Sequence, residues 1–217
     1  MSKHISIAID GPSGAGKSTI AKKLAEDLDI AYLDTGAMYR AITFFALDQK
    51  IDIKDEEALY KSLDHFQLSM DKDQIFINGK DVHKEIRSKE VTRNVSLVAS
   101  YPRIRQYLVS LQRKVAEESS AVLDGRDIGS VVLPHASIKF FLTASVEERA
   151  KRRFFDSKNK SDQTLEEIQA DIEKRDHLDS NRKESPLVQS EDAILIDSSH
   201  MSIEEVLAFM KEKIYAL

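Results

Sequence analysis

Gly11-Pro12-Ser13-Gly14-Ala15-Gly16-Lys17-Ser18-Thr19 is the stretch of this 217-residue chain that decides its fold. Two glycines with four residues between them, then Lys-Ser, make the full phosphate-loop pattern. The spacing has a chemical reason. Glycines let successive backbone N–H groups turn inward without a Cβ clash and form a nest for phosphate oxygens. Lys17 then brings a positive charge to the β- and γ-phosphates, and Ser18 offers a hydroxyl to Mg²⁺. A helix opening at this point aims the positive end of its dipole at the same anion.

The flanks agree with the motif. Ile5-Ser6-Ile7-Ala8-Ile9 alternates as a strand does, and Ile20, Ala21, Leu24, Ala25 and Leu28 recur at helical spacing. Strand, loop and helix is the required setting, so Gly11 to Thr19 as a whole is assigned to ATP. The rival, a glycine-rich turn without a ligand, is poor, because the fixed positions recur by luck in only roughly one chain per hundred.

Length fits one α/β domain with modest insertions, and a hydrophobic fraction of 41% is enough for a sizeable core. A net charge of −5 argues against a nucleic-acid binder held by bulk electrostatics. The chain has no cysteine, which excludes disulfides and thiolate metal sites. The Met-Ser-Lys-His start carries no signal-peptide pattern. No apolar run approaches the roughly 20 residues a bilayer span needs. A cytoplasmic protein without membrane or nucleic-acid partners is expected, as a monomer.

Strand-like runs at residues 4–9, 30–33, 120–124, 137–143 and 193–197 alternate with helical patterns, which predicts a parallel sheet with crossover helices. Residues 67–82 depart from this. Two alternating runs around Asp71-Lys72-Asp73 read as a hairpin, part of an inserted subdomain. Asp34-Thr35-Gly36-Ala37-Met38-Tyr39-Arg40 follows the second strand and opens a helix; ligands bind at the carboxyl ends of such strands. Thr35 could donate a hydroxyl to a second phosphate and Arg40 could clamp it, although Thr35 alone would also serve as a helix cap. Most charges of residues 87–113 are expected to face water. Asp124-Gly125-Arg126-Asp127 ends an apolar run with two acids and an arginine, costly residues for a merely structural loop. Asp34 and Asp124 are both candidates for supporting Mg²⁺. Residues 147–160 are strongly basic, and Arg175, Asp179 and Arg182 fall at i, i+4 and i+7. One helix face would then carry all three, favouring a lid that folds arginines over the triphosphate above a solvated helix pair. An amphipathic helix from about Ser202 closes the chain.

Asn159-Lys160-Ser161-Asp162 spells the guanine-reading tetrapeptide of regulatory GTPases, but the segment before it is charged rather than a buried strand. No Asp has a Gly three residues later, so the switch motif is absent. A regulatory nucleotide-binding module would not need arginines on every loop. An alcohol-accepting kinase wants an oriented acid to take the hydroxyl proton. A phosphate acceptor is already anionic, so its kinase needs cations instead of a base. Lys17, Arg40, Arg126, Arg152, Arg153, Arg175 and Arg182 fit that need.

These residues resemble one family. Ile9 to Lys17, Asp34 to Arg40, Asp124 to Asp127, Glu148 to Arg153, Arg175-Asp176 and Asn181-Arg182 are similar to the motifs of the bacterial cytidylate (CMP) kinases, of the nucleoside monophosphate kinase group. The resemblance covers essentially the whole chain. It implies a P-loop NTPase with an adenylate-kinase-like fold, a five-stranded parallel sheet flanked by helices. The core would run about 1–60 and 100–217, with an NMP-binding insert at about 61–99 and a mobile lid at about 152–175. The implied reaction moves the γ-phosphoryl group of ATP to CMP and dCMP with Mg²⁺ at Ser18, in pyrimidine nucleotide metabolism; a UMP kinase is the near alternative. By motif, Ser96, Arg105 and Asp127 would read the cytosine edge, and Thr35, Arg40 and Arg126 would hold the CMP phosphate. Arg175, Asp179 and Arg182 would contact sugar and phosphates, and Arg152 would belong to the lid. Lys17, Arg126, Arg152 and Arg175 are the expected catalytic set. Thr35 stands where some relatives carry Ser, which keeps the hydroxyl.

Overall fold

The computed structural model describes residues 4–71, 74–156 and 163–217. Five strands form the main sheet: β1 (Ser6–Asp10), β2 (Ala31–Asp34), two further strands at Ala121–Gly125 and Ile138–Thr143, and a last one at Ile194–Asp197. Their spatial order, by first residue, is 31, 121, 6, 138, 194. Chain order and spatial order differ because each parallel neighbour is reached through a crossover. All five expected strands are present to within two residues at each end.

The chain divides into two compact units, Met1–Leu33 with Val115–Leu217, and Asp34–Lys114. In the first, α1 (Lys17–Leu28) follows β1, and its Ile20, Ala21, Leu24 and Ala25 are buried against Ile7, Ile9, Phe140 and Leu142 of the sheet. That stripe at helical spacing is why α1 packs where it does.

The second unit opens with α2 (Thr35–Asp48) and continues with α3 (Glu56–Ser62). A small antiparallel sheet follows, of β3 (Leu68–Asp71), β4 (Gln74–Ile77) and β5 (Lys80–Asp81). The expected hairpin is therefore there, with Leu68 opposite Ile77 and Met70 opposite Ile75. Its Lys72 and Asp73 lie outside the described residues. The third strand was not expected. Asn78 and Gly79 both take positive φ, 51° and 79°, which suits a two-residue turn whose twist matches the flanking strands. The Asn-Gly pair was the available signal. The stretch 61–99 read as an insert falls within this unit. It closes through α4 (Lys89–Val98) into α5 (Pro102–Glu118), whose last residues belong to the first unit.

The first unit resumes with β6 (Ala121–Gly125), a single π-type turn (Ile128–Val132) and β7 (Ile138–Thr143). Helices α6 (Val146–Phe155) and α7 (Leu165–Asn181) come next, then β8 (Ile194–Asp197) and α8 (Ile203–Tyr215). Ser202 and Glu205 cap α8 reciprocally, which fixes its start where the amphipathic pattern begins. The helix face expected to carry Arg175, Asp179 and Arg182 carries only the first two. α7 ends at Asn181, and Arg182 is extended at φ −65°, ψ 142°, so Arg182 lies beyond the helix face that carries Arg175 and Asp179. Residues 157–162 of the expected lid, and with them the tetrapeptide Asn159 to Asp162, lie outside the described residues.

Candidate active site

The phosphate loop runs from the end of β1 into α1, and its glycines are needed for two different reasons. Gly11 has φ 149°, and a Cβ there would sit 1.9 Å from the backbone oxygen of Leu142. Close approach of two strands requires glycine at this position. Gly16 has φ 86° with open space around it, so only its left-handed backbone demands glycine. It serves as N-cap of α1 without a side chain, leaving the backbone donors of the first turn for an anion.

Lys17 is buried, and its Nζ donates to the Pro12 carbonyl at 2.7 Å. Burial pushes its pKa well below the ordinary lysine value, and the Arg126 and Arg175 guanidiniums push in the same direction. Asp124 and Asp10 act against that shift. Arg126 donates through Nε to Asp179 at 2.9 Å, and Arg175 lies 4.0 Å from the same carboxylate oxygen. Burial raises the Asp179 pKa, but the charges of Arg126, Arg175 and Arg182 outweigh it and hold the carboxyl below its usual range. Arg182 lies 3.5 Å from Asp127, whose side chain is buried. The unit thus gathers Lys17, Arg126, Asp127, Arg175, Asp179 and Arg182 in one charge network.

Ser18 Oγ donates to Asp124 Oδ2 at 2.9 Å, while Tyr32 donates to Asp124 Oδ1, also at 2.9 Å. Hydroxyl and carboxylate oxygens are hard donors of the kind Mg²⁺ takes. Among the described residues there is no group of three or more His, Cys, Asp or Glu able to hold a metal by themselves. The residues present therefore suit an ion that completes its coordination with phosphate oxygens and water.

Arg152 is placed differently. Its Nη atoms donate to Ser198 Oγ at 3.1 Å and to the Ser198 carbonyl at 2.6 Å, and its Nε lies 3.3 Å from Glu148. The structure thus engages Arg152 with the β8–α8 connection.

In the second unit Asp34, not Thr35, caps α2, accepting from the Ala37 N–H at 2.8 Å. Asp34 also lies 3.3 Å from Arg40, and the exposed Arg87 reaches it at 4.0 Å. Arg40 Nε is buried without a partner among the described residues, an unused donor. Arg105 is buried, with its Nη1 donating to the Ala99 carbonyl at 3.0 Å and its guanidinium 5.5 Å from the Tyr39 ring centre. It departs from the water-facing arginines expected of residues 87–113. Ser96, on α4, is half-buried.

Three residues given no part in the site turn out to frame it. Asp10 is buried at the end of β1 and accepts from the Ile128 and Gly129 N–H groups. Burial lifts its pKa to about 6 despite those two hydrogen bonds. Asp176 accepts from the Ser13 N–H at 2.9 Å and pairs with the buried Arg149, which donates to the Ser13 carbonyl at 2.9 Å. All three lie in stretches that carry the family resemblance, and Asp10 also ends an apolar run; what the sequence does not show is that Arg149 and Asp176 meet at Ser13, since that partner is distant in the chain.

A family model described as cytidylate kinase matches residues 7–216. The chain belongs to the cytidylate kinase family. It is 51% identical over 211 residues to a cytidylate kinase of Caldanaerobacter subterraneus subsp. tengcongensis, covering 97% of this chain and 94% of that relative. It is 53% identical over 211 residues to a cytidylate kinase of Desulforamulus reducens, covering 95% of each. Among solved structures, a shikimate kinase from Bacteroides thetaiotaomicron overlays with a TM-score of 0.51 at 11% identity, over 97% of this chain and 98% of that one. That likeness concerns the fold alone: a parallel sheet with a phosphate loop. Membership of the cytidylate kinase family makes the chain an ATP-dependent phosphotransferase. No helix among the described residues is long and apolar enough to cross a membrane.

Proposed function

We propose that this chain transfers the γ-phosphoryl group of ATP to CMP and dCMP, giving ADP and the diphosphates. The observation that carries the reading is the position of Lys17, buried at the phosphate loop with Arg126 and Arg175 close enough to depress its pKa. Lys17, Arg126 and Arg175 concentrate positive charge at the phosphate loop beside Asp179, and phosphate groups match that charge. An acceptor that is already charged needs neutralisation and in-line positioning rather than a base. Lys17, Arg126 and Arg175 would stabilise the transferring group. Ser18, with Asp124 beside it, would hold Mg²⁺, which supplies a Lewis acid for the phosphate oxygens.

Thr35, Arg40 and Arg126 would bind the CMP phosphate, and Arg175, Asp179 and Arg182 the sugar and phosphates. Ser96, Arg105 and Asp127 would read the base. Cytosine offers an amino donor and a ring-nitrogen acceptor, which an acid and an arginine match. Uracil reverses both and leaves buried polar groups unpaired. A role for Arg152 over the triphosphate requires it to leave Ser198. The reading includes a cytoplasmic monomer, which sedimentation at working concentration checks. The deciding experiment is ADP release with CMP, dCMP, UMP, AMP and GMP as acceptors. CMP and dCMP should dominate, and UMP turning over as fast as CMP would overturn the base assignment.

A further inference from the structure

Asp124 is buried on β6, and each of its carboxylate oxygens accepts from a hydroxyl: Oδ2 from Ser18 of α1 and Oδ1 from Tyr32 of β2, both at 2.9 Å. The Ser18 bond comes with the phosphate-loop motif. The Tyr32 bond comes from the sheet. β2 lies beside β6, and the Ala31 N–H donates to the Ser120 carbonyl at 3.0 Å, so the Tyr32 hydroxyl crosses one strand spacing, about 4.8 Å, to reach Asp124. Its half-buried ring packs against the apolar cluster that includes Ile20 and Leu24 of α1 and Val122 of β6, which fixes where the hydroxyl stands. The terminal torsion of an aspartate is broad, so a carboxylate gripped at both oxygens is set in its plane where a single bond leaves it able to swing. A phenol does this without cancelling the carboxylate's charge, as a guanidinium would. Asp34, the other acid considered for Mg²⁺, is in that second state, accepting from the Ala37 N–H and lying 3.3 Å from Arg40.

We propose that Tyr32 is a positioning residue for the metal-bearing end of ATP: its hydroxyl holds the Asp124 carboxylate in the plane in which Ser18 and Asp124 together receive Mg²⁺. Tyr32 acts through Asp124. Ser18 keeps its proton on Asp124 Oδ2 while an oxygen lone pair stays available to the ion, because a hydroxyl donates once and accepts twice. Without the Tyr32 hydroxyl, Asp124 loses a charge-assisted hydrogen bond and the restraint on its plane, and the carboxylate must be ordered at the moment the ion binds. The inference rests on the proposed reading of Ser18 and Asp124 as the Mg²⁺ holders, and goes beyond it by naming what orients them.

The test is a binding measurement that needs no turnover. Calorimetric titration with ATP, in the absence of CMP, gives Kd in excess EDTA and in excess Mg²⁺ for the native protein, Tyr32→Phe, Asp124→Asn and the double variant. By linkage, the ratio of the two Kd values is the factor by which the protein tightens Mg²⁺ on the nucleotide. Tyr32→Phe keeps the packed ring and removes only the hydroxyl. It should lower the ratio by about tenfold, the scale of losing a partner that orients a metal-holding group, while Kd in EDTA stays within about twofold of native. In the Asp124→Asn background the same change should add less than about twofold, because both act through one carboxylate. A raised Kd in EDTA with an unchanged ratio is what a merely structural role gives, and it refutes the proposal. A lowered ratio in Asp124→Asn with a native ratio in Tyr32→Phe refutes the positioning role alone, as do independent effects in the double variant. A ratio near one in the native protein, or a native ratio in Asp124→Asn, removes the reading of Asp124, and this inference falls with it.

Discussion

Lys17 is the residue to which the proposed reaction assigns the central cation, and its environment is unusual for a lysine. Burial and two neighbouring guanidiniums oppose its charge, while Asp124 and Asp10 favour it; a bound anion would favour it further. Lys17→Ala should lower kcat by about 10²–10³-fold, the scale of losing one preorganised cation or donor at a transition state. Its circular dichroism and unfolding midpoint should stay near native, and near-normal turnover would take Lys17 out of the mechanism. Asp10 and Asp179 have opposite linkage to pH. Asp179 is depressed, so its contribution is present above its unfolded pKa and is lost as pH falls through the folded value. Asp10 is raised to about 6, so the folded state holds a proton that the unfolded state has released; stability falls as pH rises from about 4 to about 6. The cost at neutral pH is on the order of 3 kcal/mol, from about two pKa units. Denaturant titrations of the native protein and Asp10→Asn at pH 5 and 7.5 should show the native protein losing stability relative to the variant at the higher pH. A difference that does not change with pH contradicts this.

At the scale of elements, the phosphate loop is fixed by helices that come much later in the chain. Ser13 is held at both its N–H and its C=O by the Asp176–Arg149 pair, tying the loop to α7 and α6. Asp176 adjoins Arg175, so one turn of α7 sets both the loop and the cation proposed to meet the phosphates. Asp176→Ala should therefore raise the KM for ATP by about tenfold or more while the KM for CMP changes little, a geometric misplacement of the donor site. Equal effects on both substrates would argue for general destabilisation. The glycines give a separate contrast. Gly11→Ala forces a Cβ onto the Leu142 carbonyl and should cost more than about 4 kcal/mol or prevent folding. Gly16→Ala meets no atom and should cost only about 1–2 kcal/mol of left-handed strain. Thermal unfolding of the two variants measures the order, and an equal loss would remove the close-approach explanation for Gly11.

For the whole molecule, the net charge of −5 conceals a site built from cations, so nucleotide binding depends on where charge is placed rather than on its sum. Raising ionic strength from about 0.05 to 0.5 M should increase the KM for ATP several-fold, as screening shortens from about 14 to about 4 Å. A KM independent of salt would show that the arginines act through hydrogen-bond geometry alone. The parallel sheet and the phosphate loop were legible from sequence because both are local: alternation marks a strand, 3.6-residue spacing marks α1, and the loop's glycines and lysine are contiguous. The turn into the third strand β5 also has a local signal, Asn78-Gly79, but at two residues the strand itself is too short to show alternation. In residues 87–113 only the family resemblance singled out Ser96 and Arg105, since nothing in a helical charge pattern tells the buried Arg105 from the exposed Arg93. The motifs determined by themselves that the chain binds a nucleoside triphosphate and resembles one kinase family. Only the tertiary structure decided that Arg149 and Asp176 grip Ser13, that Arg182 leaves its helix to meet Asp127, and that Asp10 caps a turn more than a hundred residues away. The reason is physical: a buried donor takes whichever acceptor the fold brings to it, and sequence distance carries no information about that choice.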